Sequence, residues 1–161
     1  MDTRRSISCL FTFLFVIFNG CSPPSALVKT NIDGVEKNWM DFDSGRIRFS
    51  PKTKLLSAIY IETEINVYSK AKFQLYPDSL GISLNGNDYS CSVYDSSGII
   101  SSGQSINENF TSFTIDCYFD QVFFNLHDTI YLSTSGFIYS NNKQIELSDI
   151  CFVIDSVMVR W

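Results

Sequence analysis

Residues 59–68 read Ile59-Tyr60-Ile61-Glu62-Thr63-Glu64-Ile65-Asn66-Val67-Tyr68, an unbroken alternation of β-branched and water-seeking side chains. A period of two places Ile59, Ile61, Thr63, Ile65 and Val67 on one side of an extended chain. Tyr60, Glu62, Glu64, Asn66 and Tyr68 fall on the other. The pattern predicts a half-buried antiparallel strand with one face on a core and one face in solvent. The same parity runs on through Ala71, Phe73 and Leu75 to a turn at Pro77-Asp78-Ser79.

Further along, Leu80, Ile82 and Leu84 lead into Asn85-Gly86, a strong hairpin signal because both turn positions need positive φ. The return strand carries Tyr89, Cys91 and Val93 and stops at Asp95-Ser96-Ser97-Gly98. After a polar loop over 101–109, Phe113, Ile115, Cys117 and Phe119 alternate again. Further strands are expected at 129–135, around 137–139, at 144–147 after Asn141-Asn142, and at 150–159. No stretch from Arg46 onward keeps helical spacing. Eight or nine short strands with regular turn signals predict an all-β fold over 46–161, a single antiparallel β-sandwich, Ig-like in broad architecture. A small up-and-down membrane barrel competes, because Val157, Val159 and Trp161 alternate to an aromatic end. Its strands need about 9–11 residues, longer than most seen here.

The whole chain has 161 residues, of which 45% are apolar and 18% charged, with a net charge of −5. That composition suits one globular domain and does not suit a disordered tail. The acidic balance argues against nucleic acid as a partner, since such affinity comes largely from Lys and Arg on phosphates. A single His and no Cys/His spacing pattern leave no zinc motif. No metal and no cofactor are expected.

The N-terminus differs from the rest. Arg4 and Arg5 precede a twelve-residue apolar run, Ile7 to Phe18, interrupted only by Ser8 and Thr12. At 1.5 Å per residue the run reaches about 18 Å, short of the roughly 30 Å hydrocarbon core. Its length and flanks fit a signal-peptide h-region. Gly20-Cys21 follows at once and resembles the lipobox of bacterial lipoproteins. Phe18 and Asn19 stand where typical boxes carry Leu and Ala or Ser. Boxes that keep only the Gly-Cys pair resemble those of Bacteroidota lipoproteins.

The resemblance implies that residues 1–20 are a signal peptide. Cys21 would then be the lipidation site, carrying palmitate-class acyl chains. It further implies a membrane partner through the lipid anchor and a place in the bacterial cell envelope, with the outer membrane expected, facing periplasm or cell surface. Two or three acyl chains anchor stably where one does not. Residues 21–45, with Pro23-Pro24 and no sustained periodicity, read as the lipidated Cys and a tether that holds the domain off the bilayer. Loss of Arg4, Arg5 and Asp2 leaves ten basic and sixteen acidic residues, a net charge of −6. In general pattern, residues 46–161 look like the small β-sandwich lipoproteins of Bacteroidota.

Each residue with chemical potential has a plainer reading beside it. Cys91, Cys117 and Cys151 remain after processing, and an oxidising compartment permits one bridge. Cys91 and Cys117 share the inward parity and form the candidate disulfide, whereas Cys151 lies opposite Ile150, Phe152 and Ile154. Asp41-Phe42-Asp43-Ser44-Gly45 begins like a calcium loop, but position 52 is Lys52 where an EF-hand closes with Glu. It reads as a polar turn. Asp116, Asp120 and Asp128 read as solvated turn residues, as does His127, which has no nucleophile motif near it. Glu62 and Glu64 sit on the polar face of a regular strand. No catalytic residue is expected.

Tyr60 and Tyr68 flank those two carboxylates on the outward face, and outward Tyr is the residue of sugar platforms and protein interfaces. They form the candidate binding face. The expected function is a non-enzymatic binding or assembly module of the envelope, with a protein or glycan partner. Two alternatives are an immunity or inhibitor protein and a carbohydrate-binding accessory to a hydrolase.

Overall fold

The computed structural model describes residues 25–54, 56–67, 71–106, 110–120 and 122–158. They hold β1 (Ser25–Ile32), β2 (Val35–Glu36), β3 (Trp39–Phe42), β4 (Gly45–Lys54), β5 (Ala58–Val67) and β6 (Phe73–Leu75). A 3-10 turn at Pro77–Ser79 leads to β7 (Gly81–Leu84), β8 (Asn87–Tyr89), β9 (Cys91–Asp95), β10 (Gly98–Ile99) and β11 (Gln104–Ile106). Then come β12 (Phe110–Tyr118), β13 (Thr129–Ser133), β14 (Ile138–Ser140), β15 (Lys143–Gln144) and β16 (Ile150–Met158). The fold is all-β.

Every strand pairing is antiparallel. One six-stranded sheet runs β2-β1-β16-β13-β7-β8, and a second runs β10-β9-β12-β5-β4-β3. A four-stranded sheet, β11-β6-β14-β15, completes the domain. None of the three closes on itself. A single cluster of buried side chains joins them: Ile82, Ile130 and Phe152 from the first sheet, Phe49, Ile61 and Ile115 from the second, Phe73, Leu75 and Ile138 from the third. Each such side chain contributes roughly 1.5–3 kcal/mol on leaving water.

The alternation that opens the sequence is the spine of the second sheet. Ile59, Ile61, Thr63 and Ile65 are buried, while Tyr60, Glu62, Glu64 and Asn66 are half-buried on the other face. β5 pairs along its length with both β4 and β12. Pro51 is tolerated in β4 because β3 reaches only to Arg48, so beyond that point β4 is an edge and needs no donor on that side. The Asn85-Gly86 turn takes φ of 53° and 79° and joins β7 to β8.

Two expectations change. The described residues hold sixteen strands where eight or nine were expected. Some of the excess comes from two-residue pairings at hairpin mouths (β2, β10 and β15). β1 and β3 lie ahead of residue 46, β11 lies in the stretch read as a polar loop, and a further part comes from the chain switching sheets in mid-pattern. Tyr89 ends a strand of the first sheet and Cys91 begins one of the second, with only Ser90 between. Alternation of side chains is blind to such a switch.

Strands also occur ahead of residue 46. Much of the stretch read as tether is strand: β1 pairs with β16 from Ser25↔Met158 to Ile32↔Ile150, with a bulge after Leu27. Ala26, Thr30 and Ile32 point inward. The polar composition of 25–44 hid this, because Thr30 is the buried member where an aliphatic residue would have announced a strand. Ala26 N donates to Thr53 Oγ1 at 2.8 Å, and that hydroxyl donates to Ala26 O at 3.2 Å, tying β1 of one sheet to β4 of the other.

Candidate functional site

The outward face of the second sheet carries the candidate site. On β5, Tyr60 stands between Lys52 of β4 and Asp116 of β12, and Glu62 stands between Ser50 and Thr114. Lys52 Nζ donates to Glu62 Oε1 at 2.6 Å across the strands. Thr114 Oγ1 donates to the Tyr60 hydroxyl at 3.3 Å, which fixes the phenol against β12. One strand further, Tyr94 of β9 lies opposite Thr114. Tyr60, Tyr94, Ser112, Thr114, Asp95 and Asp116 line an open depression of about 540 Å³.

The rim of this depression is rigid. Asp95 Oδ1 accepts from Ser97 N at 2.7 Å, Ser97 Oγ at 2.6 Å and Gly98 N at 3.1 Å, and Gln104 Nε2 donates to Oδ2 at 3.3 Å. The Ser97 hydroxyl and then its amide hold this carboxyl below the usual range. Asp95 therefore locks the β9–β10 turn, and Asp116 is the carboxylate on the sheet face itself. Two phenol rings bordered by hydroxyls and one carboxylate make a surface for stacking and hydrogen bonding.

Comparison with protein-family models, curated proteins and solved structures finds no match.

Of the residues named from sequence, Tyr60 sits in the depression, while Tyr68, Cys21 and Trp161 lie outside the described residues. Cys91 and Cys117 stand directly opposite on β9 and β12, with Cα atoms 4.2 Å apart, and are joined by a disulfide. The separation matches a non-hydrogen-bonded antiparallel pair, where side chains approach closest. Cys151 is a free thiol on the outward face of β16, level with Asn31 and Tyr131. Burial raises its pKa, partly offset by the hydrogen bond to Asn31.

The acidic positions are separate. Asp41 of β3 faces Arg46 of β4 and accepts from Nε at 2.6 Å and Nη2 at 3.1 Å, and that guanidinium lies 5.7 Å from the Trp39 ring centroid. Arg46 lowers the Asp41 pKa chiefly through this hydrogen bonding. Asp128 caps its own turn, accepting from Asn125 N at 2.6 Å. His127 occupies the same turn at φ 68°. Among the described residues no three Asp, Glu, His or Cys side chains gather as metal ligands.

Sequence reasoning missed Tyr94 and Trp39. Tyr94 has outward parity beside inward Val93, but nothing in the sequence says that β9 and β5 flank the same strand. Trp39 lay in the stretch read as tether.

Proposed function

We propose that this protein is a membrane-anchored lipoprotein of the bacterial envelope, outer-membrane in location, whose domain is an antiparallel β-sandwich acting as a non-enzymatic binding module. The sandwich reading draws support from two six-stranded sheets sharing one core with a third, smaller sheet. The anchor reading draws support from the Arg4/Arg5, apolar run and Gly20-Cys21 order. The observation that carries the binding reading is the Tyr60–Tyr94 depression on an outward sheet face. Rings with a polar handle, bordered by Thr114 and Asp116, suit a glycan or a hydrogen-bonding protein surface.

The test is retention of the full chain on insoluble envelope glycan, beside in-cell cross-linking. Tyr60→Ala is expected to weaken capture about tenfold, equivalent to ~1.4 kcal/mol. Unchanged capture of either kind by that variant would remove Tyr60 from the interface. Cys21→Ala is expected to leave the protein unlipidated and out of the membrane fraction, and normal fractionation would refute the anchor.

A further inference from the structure

Large apolar side chains exposed to solvent are not spread evenly over this domain. Among the described residues nine are exposed, and five of them collect at one pole: Leu27, Tyr118, Phe123, Leu126 and Val157. Phe123 is 72% exposed, Tyr118 61% and Leu126 53%. Backbone pairing shows that they share that pole. Tyr118 pairs with Ala58 beside the β4–β5 turn, and Phe124 N donates to Leu56 O in that same turn at 3.2 Å. His127 N donates to Ile154 O at 2.8 Å, which brings the turn at 127–128 against the middle of β16. Val157 pairs with Ala26 at the first residues of β1.

Phe123 and Leu126 have well-packed neighbours. Phe119 and Phe124 turn inward, and their rings pack edge to face at 5.0 Å, with Tyr89 against Phe119 at 4.6 Å. The Cys91–Cys117 disulfide lies two residues before Phe119. Burying Phe119 and Phe124 leaves Phe123 and Leu126 held outward on a fixed base. An exposed apolar cluster of this kind marks an interaction surface.

The position of β1 decides the occupant. Four residue steps separate Ser25 from Cys21, a span of at most about 14 Å even fully extended. An acylated Cys21 therefore holds this pole within reach of the bilayer. We propose that the Tyr118/Phe123/Leu126 pole is a membrane-docking surface, its apolar side chains entering the headgroup–acyl boundary of the bilayer that holds Cys21. The inference rests on the lipoprotein reading. Lys54 and Asp120, exposed beside the patch, remain at headgroup level. The domain then lies on the membrane instead of standing off it.

The test uses the full lipidated chain in phosphatidylethanolamine–phosphatidylglycerol vesicles containing a shallow doxyl-labelled lipid. An environment-sensitive fluorophore is placed at Phe123→Cys or, as control, at Ser96→Cys in the β9–β10 turn, at the end of β9 away from that pole. Both variants carry Cys151→Ser. Quenching at 123 by about half or more, with little at 96, is the expected result, since interfacial side chains sit roughly 5–10 Å into the boundary. Equal, weak quenching at both sites on a chain whose N-terminal peptide is acylated would overturn the docking and leave the anchor standing. Self-quenching at 123 that rises with protein density would put a second copy over the patch and overturn it too. An acyl-free Cys21 would overturn both readings.

Discussion

At the scale of single residues, the clearest stress in the core is Thr63. It sits between Phe49 and Phe113 in the middle of the second sheet, fully buried, and its hydroxyl has no hydrogen-bond partner. A buried hydroxyl left unpaired costs about 1–3 kcal/mol, and valine has nearly the same shape without it. Thr63→Val is expected to stabilise the domain by about 1 kcal/mol, read as a higher urea midpoint at unchanged slope. A fall in stability would mean the hydroxyl is satisfied after all. Gly45 shows the opposite constraint. A Cβ there would collide with the backbone oxygen of Asn66, so the β3–β4 hairpin closes onto β5 only with glycine. The sequence made the inward role of residue 63 legible through parity alone. It could not make the missing partner legible, because that depends on which residues of β4 and β12 lie alongside.

At the scale of elements, the disulfide joins neighbouring strands and closes a loop of 26 residues in the unfolded chain. The chain-entropy relation assigns that closure about 3.5 kcal/mol. Replacing both cysteines with serine is expected to lower stability by roughly that amount, measured by denaturant unfolding with and without reductant. Equal stability of the oxidised protein and the double variant would show that the bridge constrains nothing. Strands with strong alternation (β5, β7, β12 and β16) were readable because a buried face and a wet face leave a period of two. β1 was not, since its inward positions include Ala26 and Thr30 and its outward positions include Leu27. The candidate site was half readable for a related reason. Tyr60 declares itself by parity on its own strand, whereas its neighbour Tyr94 depends on sheet order.

At the scale of the whole molecule, surface charge sets the pH limits. Asp95 and Asp41 both have carboxyls held below their ordinary range, so each binds its proton less tightly folded than unfolded. Their contribution is present above the unfolded value, about pH 4, and is lost as pH falls through the folded one. Lys29, raised by Asp155 and Glu36, behaves inversely: its contribution is present below about pH 10.4 and is lost as pH rises through the folded value. The stability gap between the parent protein and Asp95→Asn should therefore be widest near neutrality and narrow in acid. A gap that does not narrow as the pH falls would show that geometry, not ionisation, is what the substitution removes.

The pairing of β1 with β16 also governs when this protein can exist as a folded object. Some 120 residues separate Asn31 from its partner Cys151, and β16 is also the strand against which β13 lies. Until residues 150–158 are made, the first sheet lacks the strand that joins its two halves, and β1 has only the two-residue β2 beside it. Folding is therefore non-local and slow in kind, with the most distant contact required rather than added at leisure. An incomplete chain is left with an open sheet edge and no way to hide it. A chain stopped before residue 150 leaves both β1 and β13 without the strand that pairs with each of them.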